Sequence, residues 1–234
     1  MDYDNTFNKR AVDYKYAVQT YPHTLLNELK LAAKMVNAKP FESVVNIPGS
    51  CVDISPYLSE SVIYKPYECN STFAEITNIP IAQLYSIPEK DNSIDKVVSL
   101  VSLHHATDEE RQQFYKEAYR ILKPGGVLII GDVEKNSKQD RWLNVFVNKY
   151  NQHKGKFWSK EDVLLINGFE CCVETVNYRW DSKNYNELVD FSKHLFGLKT
   201  ASDKEIRIGL EEYLDASELG FEWSLIYFTC VKHA

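Results

Sequence analysis

The feature of this sequence that most constrains its fold is a repeated alternation of short β-branched runs with amphipathic segments. The clearest case is residues 95–100, a run that contains two valines and precedes a segment with apolar residues at helical spacing. Thr107 and Glu110 open that segment with the spacing of a capping box, and Leu122 ends it. Because strands that alternate with crossover helices form parallel sheets, the pattern predicts an α/β fold.

The remaining elements follow the same alternation, and we expect a single domain. Strands are predicted at 43–47, 62–64, 79–82, 95–100, 127–130, 169–178 and 221–231, and helices at 24–37, 107–122, 141–150, 159–167, 185–197 and 203–219. On this basis residues 1–40 form an N-terminal helical arm, 41–180 the core, 181–220 a helical cap insertion and 221–234 the final strand. Insertions on such scaffolds usually carry specificity.

Composition argues against several classes of function. The chain has 27 Lys and Arg residues against 33 Asp and Glu, a net charge of −6, so we expect no basic face for nucleic acid. The longest apolar stretches, 97–103 and 127–130, are far shorter than the roughly 18 residues of a membrane span. The acidic, polar N-terminus does not resemble a signal peptide, which favours a cytoplasmic protein.

The five cysteines show no C-x-x-C spacing, and two of them are adjacent. This pattern predicts neither a zinc site nor a disulfide framework, and we expect Cys171 and Cys172 to be inert. No other metal-ligand spacing is visible, so no metal is expected.

Two segments resemble those of a known family. The first runs from Ser86 to Asp95, continues into Val97-Val98-Ser99 and is followed by His104-His105. The second, residues 119–130, contains the turn Lys123-Pro124-Gly125-Gly126 between a helix and a strand. Both are similar to class I S-adenosylmethionine-dependent methyltransferases, in the branch that acts on small molecules. The resemblance implies a Rossmann-like, seven-stranded, mostly parallel sheet with helices on both faces, an antiparallel last strand and a helical insertion before it.

The resemblance also implies S-adenosylmethionine as cofactor, held by a glycine-rich loop after the first strand. The matching loop departs from the family pattern, because its three glycine positions hold Pro48, Ser50 and Val52 and its acidic position holds Asn46. A shift of one residue recovers only Gly49, in a chain with nine glycines altogether. Asn46 can still form hydrogen bonds, but it offers no charge to an ammonium group.

Further cofactor contacts are expected from positions in the family pattern. Glu68, nineteen residues after Gly49, is expected to bind the ribose hydroxyls, and Gln83 to bind the adenine edge. The full set of expected cofactor-binding residues is Asn46, Ile47, Pro48, Gly49, Glu68, Cys69, Gln83, Leu84, Ser99, Leu100, Tyr14 and Tyr21. The competing interpretations are a surface role for Glu68, core packing for Ser99 and Leu100, and aromatic anchoring of the N-terminal arm for the tyrosines.

Two adjacent histidines are the candidate catalytic residues. Methyl transfer from a sulfonium mainly requires that the acceptor be positioned and water excluded. His104 and His105 follow the fourth predicted strand, at the edge of the sheet where ligands bind, so either is a candidate general base. The alternative is that they pack against or cap the next helix. Asp132 is expected to reach the acceptor side.

Aromatic residues of the insertion are predicted either to roof the acceptor pocket or to form core. They are Tyr185, Phe191, His194, Phe196 and Tyr213.

The sequence therefore favours a methyltransferase that acts on a small-molecule acceptor, with no nucleic-acid or membrane partner. The alternative is a noncatalytic binding or regulatory protein of the same ancestry that has lost the cofactor through its altered first loop. A third interpretation is an altered loop that accepts a modified cofactor. No motif identifies the acceptor, the methylated atom or the oligomeric state.

Overall fold

A six-stranded sheet forms the centre of the chain. The structure is a computed structural model, and it describes residues 8, 10–49, 52–153 and 155–233. The strands within these ranges are β1 (Ser43–Asn46), β2 (Ile63–Pro66), β3 (Ile94–Leu100), β4 (Leu122–Asp132), β5 (Phe169–Asp181) and β6 (Gly220–Lys232). The helices are α1 (Ala11–Thr20), α2 (Leu26–Val36), α3 (Ser71–Thr77), α4 (Asp108–Ile121), α5 (Lys138–Arg141), α6 (Asn148–Asn151), α7 (Tyr185–Leu195) and α8 (Asp203–Leu214). A π-helical segment, Trp142–Val147, joins α5 to α6, and 3-10 turns occur at Ser55–Tyr57, Leu103–His105 and Lys160–Leu165.

The strand order β2-β1-β3-β4-β6-β5 confirms the predicted α/β fold. The first four strands pair in parallel, and β6 runs antiparallel to both of its neighbours. Side chains of the central strands alternate between two buried layers: Val44 and Val98 belong to one layer, and Val45 and Val97 to the other. Burial on both faces explains why these strands are nearly continuous apolar runs in the sequence.

The expected third strand, residues 79–82, is not a strand, so the described residues contain six strands rather than seven. Ile81 forms only an isolated parallel bridge with Glu68. The Glu68 amide donates to the carbonyl of Pro80, and the Ala82 amide donates to the carbonyl of Glu68. Pro80 has no N–H to donate on one side of this bridge, and on the other side the Asn70 amide donates to Glu68 Oε1, so the ladder does not extend beyond the bridge.

A disulfide joins Cys171 of β5 to Cys230 of β6, so the expectations of no disulfide and of an inert Cys171 are wrong. The two residues are 59 positions apart in the chain but lie directly opposite each other in the antiparallel register, with Cα atoms 4.0 Å apart. Only the folded strand pairing brings them together, and no short-range spacing could reveal it. Cys69 and Cys172 are free thiols.

The N-terminal arm contains α1, which lies between α3 and α7. The Tyr21 hydroxyl donates to Asp190 of α7 at 2.6 Å, and the Lys15 ammonium donates to the carbonyl of Ile76 in α3 at 2.8 Å. The buried Arg10 guanidinium donates to the carbonyl of Leu195, at the end of α7. Helix α1 therefore links the β2–α3 part of the fold to the insertion between β5 and β6.

In the ranges given above, none of the helices combines the length and the apolar character needed to cross a bilayer.

The end of β6 caps a helix on the opposite edge of the molecule. The Lys232 side chain is buried, and its ammonium donates to the carbonyls of Tyr119 and Leu122 and to Oδ1 of Asn92, each at 2.7 Å. The two carbonyls lie at the C-terminal end of α4, where carbonyls lack partners within the helix and a positive charge is favoured by the helix dipole.

We expect Lys232→Met to lower the free energy of unfolding by about 2 kcal/mol, because hydrogen bonds to a charged group contribute roughly 1.5–3 kcal/mol. The matched control is Lys204→Met on the exposed face of α8, which should change stability by less than about 0.5 kcal/mol. Urea denaturation measures both variants. Equal stability of K232M and the parent would show that this cap contributes nothing.

Candidate active site

A cavity that is partly open to solvent lies beside the carboxyl ends of β1 and β3. Ligands bind at this edge of parallel α/β sheets. The cavity is lined by Arg10, Tyr14, Leu25, Glu28, Pro48, Val52, Val101, Ser102, His104, His105, Leu143, His153, Trp180, Leu195, Phe196 and Trp223. Of the residues predicted to be catalytic or to bind the cofactor, the structure brings four together in this wall: Tyr14, Pro48, His104 and His105.

Other predicted cofactor residues lie in the core or away from the cavity wall. Ile47, Leu84, Ser99 and Leu100 are all buried among apolar neighbours, and the Ser99 hydroxyl is 3.2 Å from that of Ser102, which does line the cavity. Tyr21 is bonded to Asp190, as described above. Of the five aromatic residues of the insertion, Phe196 lines the cavity, whereas Phe191 is fully buried.

Asn46 ends β1 at the base of the first loop and is fully buried. Its Nδ2 donates to the carbonyl of Val52 at 2.9 Å and to the Tyr64 hydroxyl at 2.7 Å. Its Oδ1 has no hydrogen-bond partner among the residues that the structure describes. A buried acceptor without a donor is costly, so this oxygen is a position where a bound donor would be stabilising.

Gly49 allows the first loop to pack closely against β2. Its amide donates to the carbonyl of Tyr67 at 2.7 Å. A Cβ at this position would lie 2.9 Å from the carbonyl oxygen of Asn46 and 3.0 Å from Cβ of Pro66, so only glycine fits. The recovered glycine of the family pattern therefore allows a close backbone approach within the protein, and Pro48 and Val52 are the described loop residues that line the cavity. Ser50 and Cys51 lie outside the described residues.

Glu68 is fully buried just beyond β2. Its Oε1 accepts hydrogen bonds from the backbone amides of Cys69 and Asn70 at 2.8 and 3.0 Å. The bridge between Glu68 and Ile81 brings the exposed Gln83 into the same region as the half-buried Cys69. The residues predicted for the nucleoside part of the cofactor are thus near one another in the fold, outside the wall of the main cavity.

His104 is held by the carboxylate of Asp132, which follows at the end of β4. His104 Nδ1 lies 2.7 Å from Asp132 Oδ1, and the His104 amide donates to Oδ2 at 3.0 Å. Burial raises the pKa of Asp132, but the His104 ring and the donated hydrogen bonds, including one from the Val133 amide, outweigh it, so the pKa lies below its usual value. An ionised carboxylate at Nδ1 fixes the ring and leaves Nε2 for other contacts.

His153 completes a cluster of three histidines that sequence reasoning missed. The ring centroids of His104 and His105 are 4.0 Å apart, and His153 is 5.4 and 5.0 Å from these two rings. Burial lowers the pKa of His105 and of His153 well below the usual value, so both rings are neutral at pH 7. A single histidine in a loop, 48 residues beyond His105, offers no spacing signal that would connect it to the pair.

The opposite wall of the cavity combines a buried acid with stacked indoles. Glu28 Oε2 accepts hydrogen bonds from the Tyr178 hydroxyl at 2.7 Å and from Trp180 Nε1 at 2.8 Å. Trp180 stacks on Trp223 with centroids 4.4 Å apart. Burial raises the pKa of Glu28 by more than the two hydrogen bonds lower it.

We expect Glu28→Gln to be increasingly more stable than the parent as the pH rises. Because the folded-state pKa of Glu28 is raised, its favourable contribution is complete below the ordinary value of 4.5 and is lost as the pH rises through the folded-state value. Glutamine keeps an acceptor for both donors and does not ionise. Thermal unfolding at pH 4.5, 6 and 8 measures the difference, with Glu60→Gln on the surface as control. A difference that does not change with pH would contradict the raised pKa.

Part of the chain is similar in sequence to known methyltransferases. Residues 38–130 match the family model described as a methyltransferase domain. The uncharacterized methyltransferase OB1106 of Oceanobacillus iheyensis is 26% identical over 106 residues, which are 44% of this chain and 50% of that protein. The ubiquinone/menaquinone biosynthesis C-methyltransferase UbiE of Geotalea daltonii is 34% identical over 88 residues, 38% of this chain and 35% of that protein. The chain spans half or less of the length of these two relatives.

A solved structure extends the similarity to the whole fold. A S-adenosylmethionine-dependent methyltransferase from Thermotoga maritima aligns over 97% of this chain and 99% of its own, with a TM-score of 0.64 and 19% identity. At that identity the likeness concerns the fold alone. Residues 38–130 are thus similar to methyltransferase domains, and the chain as a whole has the fold of S-adenosylmethionine-dependent methyltransferases.

Proposed function

We propose that this chain transfers a methyl group from S-adenosylmethionine to a small-molecule acceptor bound in the cavity beside β1 and β3. One observation carries the proposal: a single cavity joins the first loop, where the family holds its cofactor, to the His104–Asp132 pair.

Asn46 Oδ1 is buried and has no hydrogen-bond partner within residues 10–49, 52–153 and 155–233, which supports cofactor binding despite the altered loop. It can accept a hydrogen bond from the ammonium group at the amino-acid end of the cofactor, in place of the usual carboxylate. Arg10 and Tyr14 line the same cavity and offer donors to a carboxylate. Glu68 is retained as the ribose contact. When bound, the cofactor supplies a methyl group already activated by its sulfonium charge.

The protein then has to orient the acceptor, exclude water and receive a proton. Tyr14 of α1 and Leu195 at the end of α7 form part of the cavity wall and limit the access of water. We assign proton acceptance to one of the two adjacent imidazoles, His104, oriented by Asp132, or the neutral His105. Both line the cavity, and a neutral imidazole is the form that accepts a proton.

The acid–base role predicts a pH–rate profile with a shifted acidic limb. Because the pKa of His105 lies below 6.5, the activity that depends on the neutral ring should persist down to below pH 6.5 and fall only under more acidic conditions. We expect His105→Asn or His104→Asn to remove that limb and to lower kcat/KM about 100-fold or more. The measurement is kcat/KM against pH, after an acceptor screen that detects release of S-adenosylhomocysteine. Unchanged profiles in both variants would rule out either histidine as the base.

Cofactor binding is tested without the acceptor by calorimetric titration with S-adenosylhomocysteine. We expect micromolar affinity, near −8 kcal/mol. Glu68→Gln should weaken binding about tenfold, equal to about 1.4 kcal/mol, because the ribose hydroxyls lose a charged acceptor. Glu60→Gln, at an exposed position away from the cavity wall, should bind as the parent does.

The noncatalytic alternative gives the opposite result in the same titration. Two observations favour it: Gly49 is used for packing against β2, and Glu68 is already engaged by two backbone amides. The alternative predicts no heat and no thermal shift at millimolar S-adenosylhomocysteine, once it is confirmed that no cofactor copurified. That result would replace the methyltransferase proposal by a protein-binding one.

A further inference from the structure

Three imidazole rings lie together at one end of the cavity, although no sequence motif predicts the cluster. One ring nitrogen from each of His104, His105 and His153 lies within 4.8 Å of the others. In a tetrahedral zinc site with Zn–N distances near 2.0–2.1 Å, ligand nitrogens are about 3.3 Å apart. Small rotations of the three rings would therefore bring them to the separation of metal ligands.

The first ring is already oriented as a ligand would be. His104 Nδ1 is engaged by Asp132, which leaves Nε2 as the nitrogen for the cluster. A carboxylate on the remote nitrogen is the usual partner of a metal-bound histidine, because it fixes the ring and increases its basicity. Asp132 is itself held by the Val133 amide at 2.8 Å and by Trp158 Nε1 at 3.1 Å.

The third ring, that of His153, has a buried nitrogen whose hydrogen bonding is incomplete among the described residues. His153 is only 5% exposed, and its Nδ1 has no hydrogen-bond partner in the portion of the chain that the structure describes. A buried nitrogen without a partner costs free energy that a bound cation would recover. This observation is independent of the distances within the cluster, and it separates a ligand-binding site from a merely aromatic contact.

The two segments that carry the three rings are held together by Arg111 of α4. Its Nε donates to the carbonyl of Leu103 at 3.0 Å, and its Nη2 donates to the carbonyl of Lys156. The Lys156 amide in turn donates to the carbonyl of His104 at 2.8 Å. The turn after β3 and the loop after α6 are thus joined independently of any cation, and the cluster is preorganised.

We infer that His104, His105 and His153 form a binding site for one divalent transition-metal ion of the zinc type. Imidazole nitrogen suits zinc, cobalt, nickel and iron, and three protein ligands leave a position open to the cavity. Arg10 also lines this cavity, and its charge favours an anionic oxygen of the acceptor at that open position.

This inference concerns what the cluster binds and stands apart from the proposed methyl transfer. With a metal bound, the three nitrogens would be ligands, and the metal would lower the pKa of a coordinated acceptor group, whose proton would go to solvent rather than to an imidazole. Without a metal, His104 or His105 remains the base. The two states therefore respond differently to a chelator, which would lower activity only in the metal-bound state.

The test is titration of the metal-stripped protein with Zn²⁺ by calorimetry, and with Co²⁺ by visible absorption, in the absence of cofactor and acceptor. We expect one ion per chain, bound at micromolar concentration or tighter, and a cobalt spectrum typical of tetrahedral or five-coordinate nitrogen ligation. His153→Gln and His105→Gln should each weaken Zn²⁺ binding on the order of 100-fold and abolish the cobalt spectrum. Using two variants keeps the result informative if one of them fails to fold, which circular dichroism of the metal-free protein checks.

Matched controls separate the cluster from other metal-binding groups. His233→Gln, at an exposed position, and Cys172→Ser, at the exposed free thiol, should bind Zn²⁺ as the parent does. No stoichiometric binding by the parent, or equal binding by H153Q, H105Q and the parent, would overturn the inference. Titration with S-adenosylhomocysteine is a separate measurement, so failure of the metal site and failure of the proposed function are distinguishable.

Discussion

The buried carboxylate of Asp132 is the interaction on which the arrangement of the candidate site depends. It accepts hydrogen bonds from the amide and ring of His104, from the amide of Val133 and from the indole of Trp158. A buried carboxylate is tolerated only when its oxygens are satisfied in this way. The four donors join the end of β4, the turn after β3 and the loop after α6, so one charge sets the relative positions of three segments that are far apart in the sequence.

The parts of the fold that could be predicted from the sequence are those specified by local interactions. The capping box of Thr107 and Glu110 forms at the start of α4 as predicted. Gly125 has φ of +75°, which explains the glycine in the turn before the apolar part of β4. Two features depend on the register between distant segments and could not be predicted: the missing third strand and the Cys171–Cys230 disulfide. Pro80 contributes to the first, because it lacks the N–H that a strand at residues 79–82 would donate.

The candidate site could be predicted only where a residue follows a recognisable strand. Pro48 and His104 line the cavity because they follow β1 and β3, whose ends define that edge of the sheet. Neither His153 nor Arg111 follows such a strand. His153 lies in a loop, and Arg111 has the sequence pattern of an ordinary charged position on an amphipathic helix. Gly49 illustrates the opposite error: a glycine in a loop suggests a ligand, but here its missing Cβ makes room for Pro66.

The position of α1 has a consequence for kinetics. Asn8, just before this helix, accepts hydrogen bonds from Asn70 and Thr72 beside Glu68, while Arg10 and Tyr14 form part of the cavity wall. The same short arm therefore contacts both the region around Glu68 and the main cavity, so a molecule that occupies both would lie against it. Movement of the arm would then speed release, and the contacts of α1 with α3 and α7, at sites that touch no ligand, would influence residence times.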